Sequence, residues 1–178
     1  MRRKRLSIVL IILLILSSPI TVADHSDEYK LKTALLYKLS KFAQWPNLSG
    51  QVFRLCVYGN TPFSKSLERL QTKAIKKRPI KLLQLKRINN ELKNCDTLFI
   101  TRSAASHLRR VLIAVSHSPV LTISDITQFA DFGGMIELST HDQHIRFRIN
   151  LQATRNAKIQ LASPLLELAT IVSPGQGQ

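Results

Sequence analysis

The sequence lacks the short motifs that mark most enzymes. Its 178 residues contain no G-x-S-x-G nucleophile elbow, no H-E-x-x-H zinc motif and no phosphate loop with its lysine. Acidic side chains are also scarce, with 11 Asp and Glu against 26 Lys and Arg. The missing motifs predict a protein that is not an enzyme and holds no cofactor. The excess of positive charge predicts an attraction for anionic partners.

One tripeptide does match a catalytic signature. Asp131-Phe132-Gly133 is the sequence that holds magnesium in protein kinases, but the glycine-rich loop, strand lysine and catalytic-loop aspartate of a kinase are absent here. His141 and His144 could chelate a metal together, but they have no evident third ligand. We therefore predict no metal site. The glycines that follow Phe132 are expected to supply the permissive backbone of a turn.

The N-terminal segment is typical of a secretory signal peptide. Four basic residues at positions 2–5 precede an uncharged run at 6–16, and small residues end at Ala23. The apolar run is shorter than the roughly 20 residues that a membrane span needs. We predict cleavage after Ala23 and export to the periplasm, with an uncleaved anchor as the alternative. Residues 24–173 then form the mature domain, and residues 174–178 a disordered tail.

The mature chain stays strongly basic after cleavage. Its formal net charge is +11, which is the +15 of the full chain less the four positive charges at positions 2–5. Such a charge would suit nucleic acid inside a cell, but anionic lipid headgroups or an acidic protein face are better partners outside it. A solvated lysine-rich surface is the alternative. We expect no nucleic-acid partner, and membrane contact only through a partner or the basic surface.

Strands and helices alternate along most of the chain. Strands are predicted at 52–58, 79–85, 96–101 and 120–123, separated by helical patterns. This alternation predicts a single α/β domain whose mixed, mostly parallel sheet has helices on both faces. An amphipathic helix is predicted over residues 29–45, with an apolar face of Leu31, Leu35, Leu39 and Phe42. A final helix is predicted after Ser163-Pro164, bearing Leu165, Leu166, Leu168 and Ile171.

An antiparallel hairpin is predicted near the C-terminus. Residues 136–139 and 144–151 both alternate apolar with polar side chains, and four polar residues join the two runs. If Ser139 faces His144, then Glu137 pairs with Arg146, and apolar residues also meet apolar residues.

Two places in this predicted fold could bind an anion or a partner. His144, Arg146 and Arg148 project from the wet face of the hairpin beside Glu137, and arginine forks suit carboxylates, phosphates and partner surfaces. The alternative is a solvated strand face with one ion pair. The second place is Gly59-Asn60-Thr61, which leads from a strand into a helix start, although such turns occur throughout α/β folds.

Six segments of the chain together resemble the YfiR family. The segments are KTALLYKLSKFAQWP, FRLCVYGNTPF, RPIKL, NCDTLFIT, PVLTISDITQFADFGGMIEL and IRFRINLQATRNAKIQLASPLLELA, within residues 29–172. Gln128 departs from the family, which usually has glycine at this place. The residues that match family motifs are Trp45, Pro46, Ser124, Asp125, Gly133, Gly134, Met135, Phe147 and Asn150.

This resemblance implies a small periplasmic α/β protein without enzymatic activity. It implies repression of an inner-membrane diguanylate cyclase through the cyclase's periplasmic sensor domain, in cyclic-di-GMP and biofilm signalling. A homodimer is a further assembly to test. The alternative is a periplasmic module that binds a small molecule or an anionic lipid without a cyclase partner.

The two cysteines, Cys56 and Cys95, match cysteine positions of the same family. An even count in an oxidising compartment favours a disulfide, and buried free thiols are the alternative. Cys56 lies in the predicted strand at 52–58, and Cys95 directly precedes the strand at 96–101. In a doubly wound sheet these two strands are neighbours, with the strand at 79–85 outside them. We therefore predict a disulfide between Cys56 and Cys95.

Overall fold

The computed structural model of the chain describes residues 25–61, 64–141 and 144–172. The predicted signal peptide and the predicted tail at 174–178 both lie outside these residues. The described part is an α/β domain with one eight-stranded mixed sheet and a separate two-stranded antiparallel sheet. The predicted fold class, a mostly parallel sheet flanked by helices, is confirmed.

The elements follow one another as the alternating pattern predicts. The described α-helices are α1 (His25–Phe42), α2 (Ser64–Glu68), α3 (Leu108–Val115), α4 (Leu151–Asn156) and α5 (Ser163–Glu167). The strands are β1 (Ala43–Gln44), β2 (Phe53–Tyr58), β3 (Ala74–Ile75), β4 (Arg78–Leu85), β5 (Thr97–Ile100), β6 (Leu121–Ser124), β7 (Ile136–His141), β8 (His144–Asn150), β9 (Gln160–Leu161) and β10 (Thr170–Val172). Short 3-10 helices lie at Arg69–Thr72, Asn90–Asn94 and Arg102–His107.

The large sheet has the strand order β10-β8-β7-β6-β5-β2-β4-β3. Strand β2 lies between β4 and β5 and is parallel to both, and β6 and β7 continue the parallel part beyond β5. Strand β8 returns antiparallel to β7, and β10 runs parallel to β8 at the edge. The predicted placement of 79–85 outside the pair formed by 52–58 and 96–101 is confirmed.

Two apolar layers bury the two faces of this sheet. On one face, Leu36 and Leu39 of α1 belong to a core cluster with Phe53 of β2, and on the other, Val111 of α3 clusters with Phe129. Each of these side chains is almost fully buried, which stabilises the fold by about 1.5–3 kcal/mol per side chain. Successive side chains along a strand point to opposite faces of the sheet, so the central strands contribute apolar side chains to both layers.

The apolar face predicted for α1 is partly wrong. Leu39 is buried as expected, but Leu31 and Phe42 are both nearly half exposed. Polar residues share the buried side instead: Lys32 is buried, and its Nζ lies 2.9 Å from Asp125 Oδ2. The ion pair compensates the charge, which is why a lysine can occupy a position that the apolar pattern did not assign to the core.

The predicted disulfide between Cys56 and Cys95 is confirmed. Cys56 lies within β2, Cys95 lies two residues before the start of β5, and their Cα atoms are 5.9 Å apart. This separation is typical of a disulfide. The bridge therefore links two neighbouring central strands, as the strand order required.

The register predicted for the hairpin is wrong by two residues. Glu137 faces Arg148 rather than Arg146, and Ser139 faces Arg146 rather than His144. The reason is that β7 continues to His141, so only residues 142–143, which lie outside the described residues, connect the strands. A shift of two residues leaves every side chain on its predicted face, because side chains in a strand alternate with period two.

The predicted final helix is also shorter than expected. Helix α5 ends at Glu167, and Ile171 lies in the edge strand β10 rather than on a helix. Of the predicted apolar face, Leu165 is buried in the core, whereas Leu168 is largely exposed. The sequence also conceals α4, whose N-cap is the motif residue Asn150.

Candidate functional site

A buried carboxylate lies at the centre of the polar face of the hairpin. Glu137 of β7 has a side chain only 4% exposed, and it accepts hydrogen bonds from the backbone nitrogens of Gln128 (3.1 Å) and Ala130 (3.2 Å). Arg148 of β8 donates a third bond through Nη1, at 3.2 Å. Both backbone donors belong to residues 126–134, which we call the crossing segment because it folds across this face of the sheet. Glu137 therefore fixes the crossing segment to the hairpin and is not part of an open surface.

The same arginine holds the crossing segment by a second carboxylate. Arg148 Nη1 and Nη2 donate to Asp131 Oδ2 and Oδ1 at 2.7 and 2.9 Å, a bidentate pairing. The hydrogen bond with Asp131 raises the pKa of Arg148 above its usual value, and the charge of Glu137 adds to this effect. The side chains of Arg148 and Asp131 are 31% and 30% exposed. Asp131 thus has a structural partner, and its role in the tripeptide Asp131-Phe132-Gly133 is to close a turn.

The glycine pair and Asn150 complete the attachment of the crossing segment. Gly133 has a φ of +96°, a backbone conformation that favours glycine. Gly134 lies so close to the ring of Phe129 that a Cβ there would overlap it. Asn150 donates from Nδ2 to the carbonyl oxygen of Ala130 at 2.9 Å, while its Oδ1 accepts from the backbone nitrogen at the start of α4. These contacts explain the predicted turn in physical terms.

The departure from the family at Gln128 has a visible consequence in the crossing segment. Gln128 has a φ of +63°, in the left-handed region where glycine has no steric cost. Its backbone nitrogen is one of the donors to Glu137, so this conformation is held by the same cluster. A glycine would adopt this conformation more easily.

Motif residues outside the hairpin also make structural contacts. Trp45 packs edge-on against Phe53 with ring centroids 5.3 Å apart, and its Nε1 donates to the carbonyl oxygen of Asp96 at 2.9 Å. Pro46 follows it on the surface. Ser124 donates from Oγ to the carbonyl oxygen of Ile100 at 2.7 Å. The two hydrogen bonds lie at opposite ends of β5, one at Asp96 just before it and the other at its last residue, Ile100.

Asp125, Met135 and Phe147 tie further elements to the sheet. Asp125 accepts the ion pair from α1 and also a hydrogen bond from the backbone nitrogen of Arg102, at 3.1 Å. Met135 is buried, and its backbone nitrogen donates to Thr122 Oγ1 at 3.0 Å. Phe147 packs against the core on the α1 side of the sheet. These residues position the crossing segment and the hairpin without being exposed themselves.

The exposed part of this region is therefore smaller than the sequence predicted. Arg146 is exposed, and Phe132 of the crossing segment is 62% exposed directly beside Asp131. Arg148 lies two residues from Arg146 on the same face of β8 and pairs with Asp131, the chain neighbour of Phe132. We call Arg146, Arg148 and Phe132 the hairpin surface. His144 begins β8, but its side chain lies outside the described residues, so its predicted place on this surface stays a prediction.

A groove adjoins the hairpin surface on the same face of the sheet. It has a volume of about 330 Å³ and lies between α3 and α4, with Leu112 and Val115 on one side and Ala153 on the other. Gly133 and Met135 of the family motif also line it. The groove and the exposed ring of Phe132 give this face an apolar component beside its arginines.

The described residues contain neither a candidate metal site nor a candidate membrane span. Among them, no three His, Cys, Asp or Glu side chains lie together in a way that could hold a metal ion. No helix in the described ranges is both long and apolar enough to cross a membrane.

The fold and the hairpin surface define a class of small α/β proteins with a doubly wound sheet and a charged hairpin. Within that class, the chain belongs to the YfiR/HmsC-like family, whose model matches residues 29–170. This membership confirms the predicted family and fits a periplasmic regulatory protein.

Two solved structures share the fold at low sequence identity. One is a conserved domain protein from Vibrio cholerae, 15% identical, with a TM-score of 0.57 over 82% of this chain and 60% of that one. The other is the ABC domain in complex with L-Trp from Streptococcus pneumonia, 11% identical, with a TM-score of 0.53 over 81% of this chain and 60% of that one. The chain thus spans about three fifths of each structure, and both likenesses concern the fold alone.

Proposed function

We propose that this protein is a periplasmic, non-catalytic regulator that binds the extracytoplasmic domain of an inner-membrane signalling protein. We further propose that the signalling protein is a diguanylate cyclase and that binding represses it, which lowers cyclic-di-GMP and biofilm formation. Membership of the YfiR/HmsC-like family supports the regulatory role. The basic start and short apolar run at the N-terminus support export, with cleavage after Ala23.

The observation that carries the proposal is the composition of the hairpin surface. An exposed arginine, Arg146, and an exposed aromatic ring, Phe132, lie beside the partly exposed Arg148. Arginine and aromatic residues are enriched among the side chains that dominate protein–protein binding energies. The excess of basic residues in the chain favours an acidic face on the partner, because opposite charges steer the encounter.

The rigidity of this surface also favours binding. Arg148 is held by two carboxylates, and the crossing segment that carries Phe132 is fixed by backbone hydrogen bonds to Glu137. Side chains that are already ordered lose less conformational entropy when a partner binds. The buried cluster thus supports the exposed side chains of the hairpin surface.

Capture from membranes tests the proposed partner class. The purified protein serves as bait for inner membranes solubilised in detergent, and bound proteins are identified by mass spectrometry. We expect to recover a membrane protein with a periplasmic sensor segment and a cytoplasmic cyclase domain. Deleting the gene for this protein should raise cellular cyclic-di-GMP only in cells that contain the captured cyclase. A partner without a cyclase domain would contradict the cyclase assignment but not the regulatory role.

Two variants test whether the hairpin surface makes the contact. Arg146→Ala and Phe132→Ser should each weaken binding of the captured partner by about 2 kcal/mol or more if they lie in the contact. Arg69→Ala is the matched control, because Arg69 is an exposed arginine in the 3-10 helix after α2, away from the hairpin. Binding by both hairpin variants that equals binding by the control would exclude this surface.

The same purified proteins also test the alternative function, in which the protein binds anionic lipid. A module that binds anionic lipid without a cyclase partner should sediment with vesicles of phosphatidylglycerol and capture no membrane protein. If the protein is a regulator, it should capture its partner, and its binding to such vesicles should not exceed that of its own Arg69→Ala variant.

Mass spectrometry of periplasmic material should find an N-terminus at or near Asp24, and an intact cytosolic chain would contradict the proposed location.

A further inference from the structure

A second cleft opens at the carboxyl ends of β2 and β4. It has a volume of about 400 Å³, within the range of pockets that bind small molecules. Strands β5 and β6 separate this part of the sheet from the hairpin. The cleft therefore shares no residue with the hairpin surface, and its role can be tested separately from the proposed function.

The position of the cleft in the sheet is one where ligands bind. From β2 the chain passes to β4 on one side, and then returns to β5 on the other side before continuing to β6. The strand order thus reverses at β2. In open α/β sheets, ligands bind outside the carboxyl ends of the strands at such a reversal point.

Hydrogen bonds between lining residues order the walls of the cleft. Ser103 Oγ accepts from the backbone nitrogen of Asn60 at 2.8 Å and donates to its carbonyl oxygen at 3.1 Å. Gln84 donates from Nε2 to the carbonyl oxygen of Gly59 at 2.7 Å. The hydroxyl of Tyr58 lies 3.2 Å from His107 Nδ1, so this bond orients the imidazole ring. A pocket whose walls are already ordered binds small ligands at a lower entropic cost.

The polar groups of the cleft indicate the chemistry of a ligand. Lys86 and His107 are the basic residues that line it, and none of the described residues in its lining is acidic. Leu85 and Ala104 give it an apolar wall. A lining that includes an ammonium, an imidazole and apolar side chains suits a molecule with one acidic group and a small apolar body.

We propose that this cleft binds a small organic anion, with its carboxylate or phosphate group beside Lys86 and His107. The proposal does not use the start of α2, which has only five residues. It rests on the reversal of strand order, the fixed walls and the absence of acidic residues from the described lining.

Two probes test whether the cleft prefers a carboxylate or a phosphate group. They are benzoate, a carboxylate with an apolar ring, and inorganic phosphate. The protein purified in its exported form is titrated with each probe, and backbone amide shifts are followed by NMR. We expect saturable shifts at Tyr58, Asn60 and Lys86. Saturation by benzoate alone assigns a carboxylate ligand, and saturation by phosphate alone assigns a phosphate ligand.

Variants test whether the bound probe is held by the proposed groups. Lys86→Gln should weaken binding of the saturating probe by about tenfold, because it removes a charge-assisted contact. Lys81→Gln is the matched control, an exposed lysine earlier on β4, and should change affinity less than about twofold. His107→Gln provides a second variant that retains a polar group beside Tyr58, should Lys86→Gln fail to fold.

Three results would overturn the proposal. The first is a linear drift of shifts without saturation for both probes. The second is equal weakening by Lys86→Gln and Lys81→Gln, which would indicate attraction to the general positive charge. The third is saturable shifts that map to the groove between α3 and α4 instead of the cleft.

Discussion

Replacing Arg148 by alanine should destabilise the fold as well as alter its surface. The change removes one of the three hydrogen bonds to Glu137, whose side chain is 4% exposed, and leaves that carboxylate without a cationic partner. It also removes the bidentate pairing that holds Asp131. We therefore expect the crossing segment to loosen from the hairpin in this variant.

The two carboxylates contribute differently to the expected loss. A hydrogen bond to a buried charged group is worth about 1.5–3 kcal/mol, and Glu137 keeps two backbone donors after the change. The pair with Asp131 adds at most about 1 kcal/mol, because both partners are about one third exposed and solvent screens them. The variant should therefore lose about 1.5–4 kcal/mol out of the 5–15 kcal/mol typical of a domain.

Urea denaturation measures this loss directly. The single tryptophan, Trp45, packs against Phe53 in the core, so its fluorescence reports unfolding. Arg146→Ala is the control, and because Arg146 is exposed it should change the unfolding free energy by less than about 0.5 kcal/mol.

A second substitution tests the cause of the loss. Adding Glu137→Gln to Arg148→Ala removes the unpaired charge and should recover part of the lost stability, which a double-mutant cycle quantifies. If Arg148→Ala unfolds at the same urea concentration as Arg146→Ala, the ion cluster does not hold the crossing segment, and the reasoning fails. Weak partner binding by an Arg148 variant is therefore ambiguous, whereas Arg146 and Phe132 test the surface itself.

Four further substitutions have expected outcomes in the same denaturation assay. Cys95→Ser opens a bridge between residues 39 apart and should cost about 4 kcal/mol, and two free thiols in the denatured, unreduced wild type would contradict the bridge. Burial raises the pKa of Asp96, so wild type should lose stability relative to Asp96→Asn as pH rises from about 4 through the folded-state pKa; parallel curves would refute this. Gly134→Ala should cost about 1–3 kcal/mol, since the added methyl group overlaps the ring of Phe129, and a neutral effect would show that the ring can move. Gln128→Gly should leave stability unchanged or raise it by up to about 1 kcal/mol, because its φ is positive, and a clear loss would show that the side chain contributes.

The order of the parallel strands was predictable because their sequence signals are local and strong. The strand at 79–85 is bounded by turn residues, and the alternation with helices restricts the sheet to a few topologies. The disulfide was consistent with this order, because Cys56 lies in one of two neighbouring strands and Cys95 lies just before the other. The strand order and the disulfide depend only on which strands are adjacent, and neither prediction depends on the exact ends of an element.

The register of the hairpin could not be predicted in the same way. Apolar and polar residues alternate on both strands, so a shift by two residues preserves every face and gives equally good apolar pairs. The turn decides between the registers, and nothing in Thr140 or His141 marks the end of the strand. The error mattered because it paired Glu137 with Arg146, whereas in the structure Glu137 is paired with Arg148.

The crossing segment was hidden from the sequence for a different reason. Asp131 and Arg148 are 17 residues apart, and no local pattern indicates that a turn will fold back across a strand face. Tertiary contacts of this kind depend on the whole chain, and so did the short helix α4 that begins beside Asn150. The charge of Asp131 was visible, but its partner was not.

The motif residues stabilise this face of the sheet, and different, exposed residues are available to contact a partner. Glu137, Asn150 and Gly134 are buried and engaged with the crossing segment, so substituting them would weaken any function of the face indirectly. A partner can reach their exposed neighbours, which include Phe132 and Arg146. The motif residues that identify the family therefore determine how the hairpin surface is built. The exposed side chains on that surface determine which partner can bind to it.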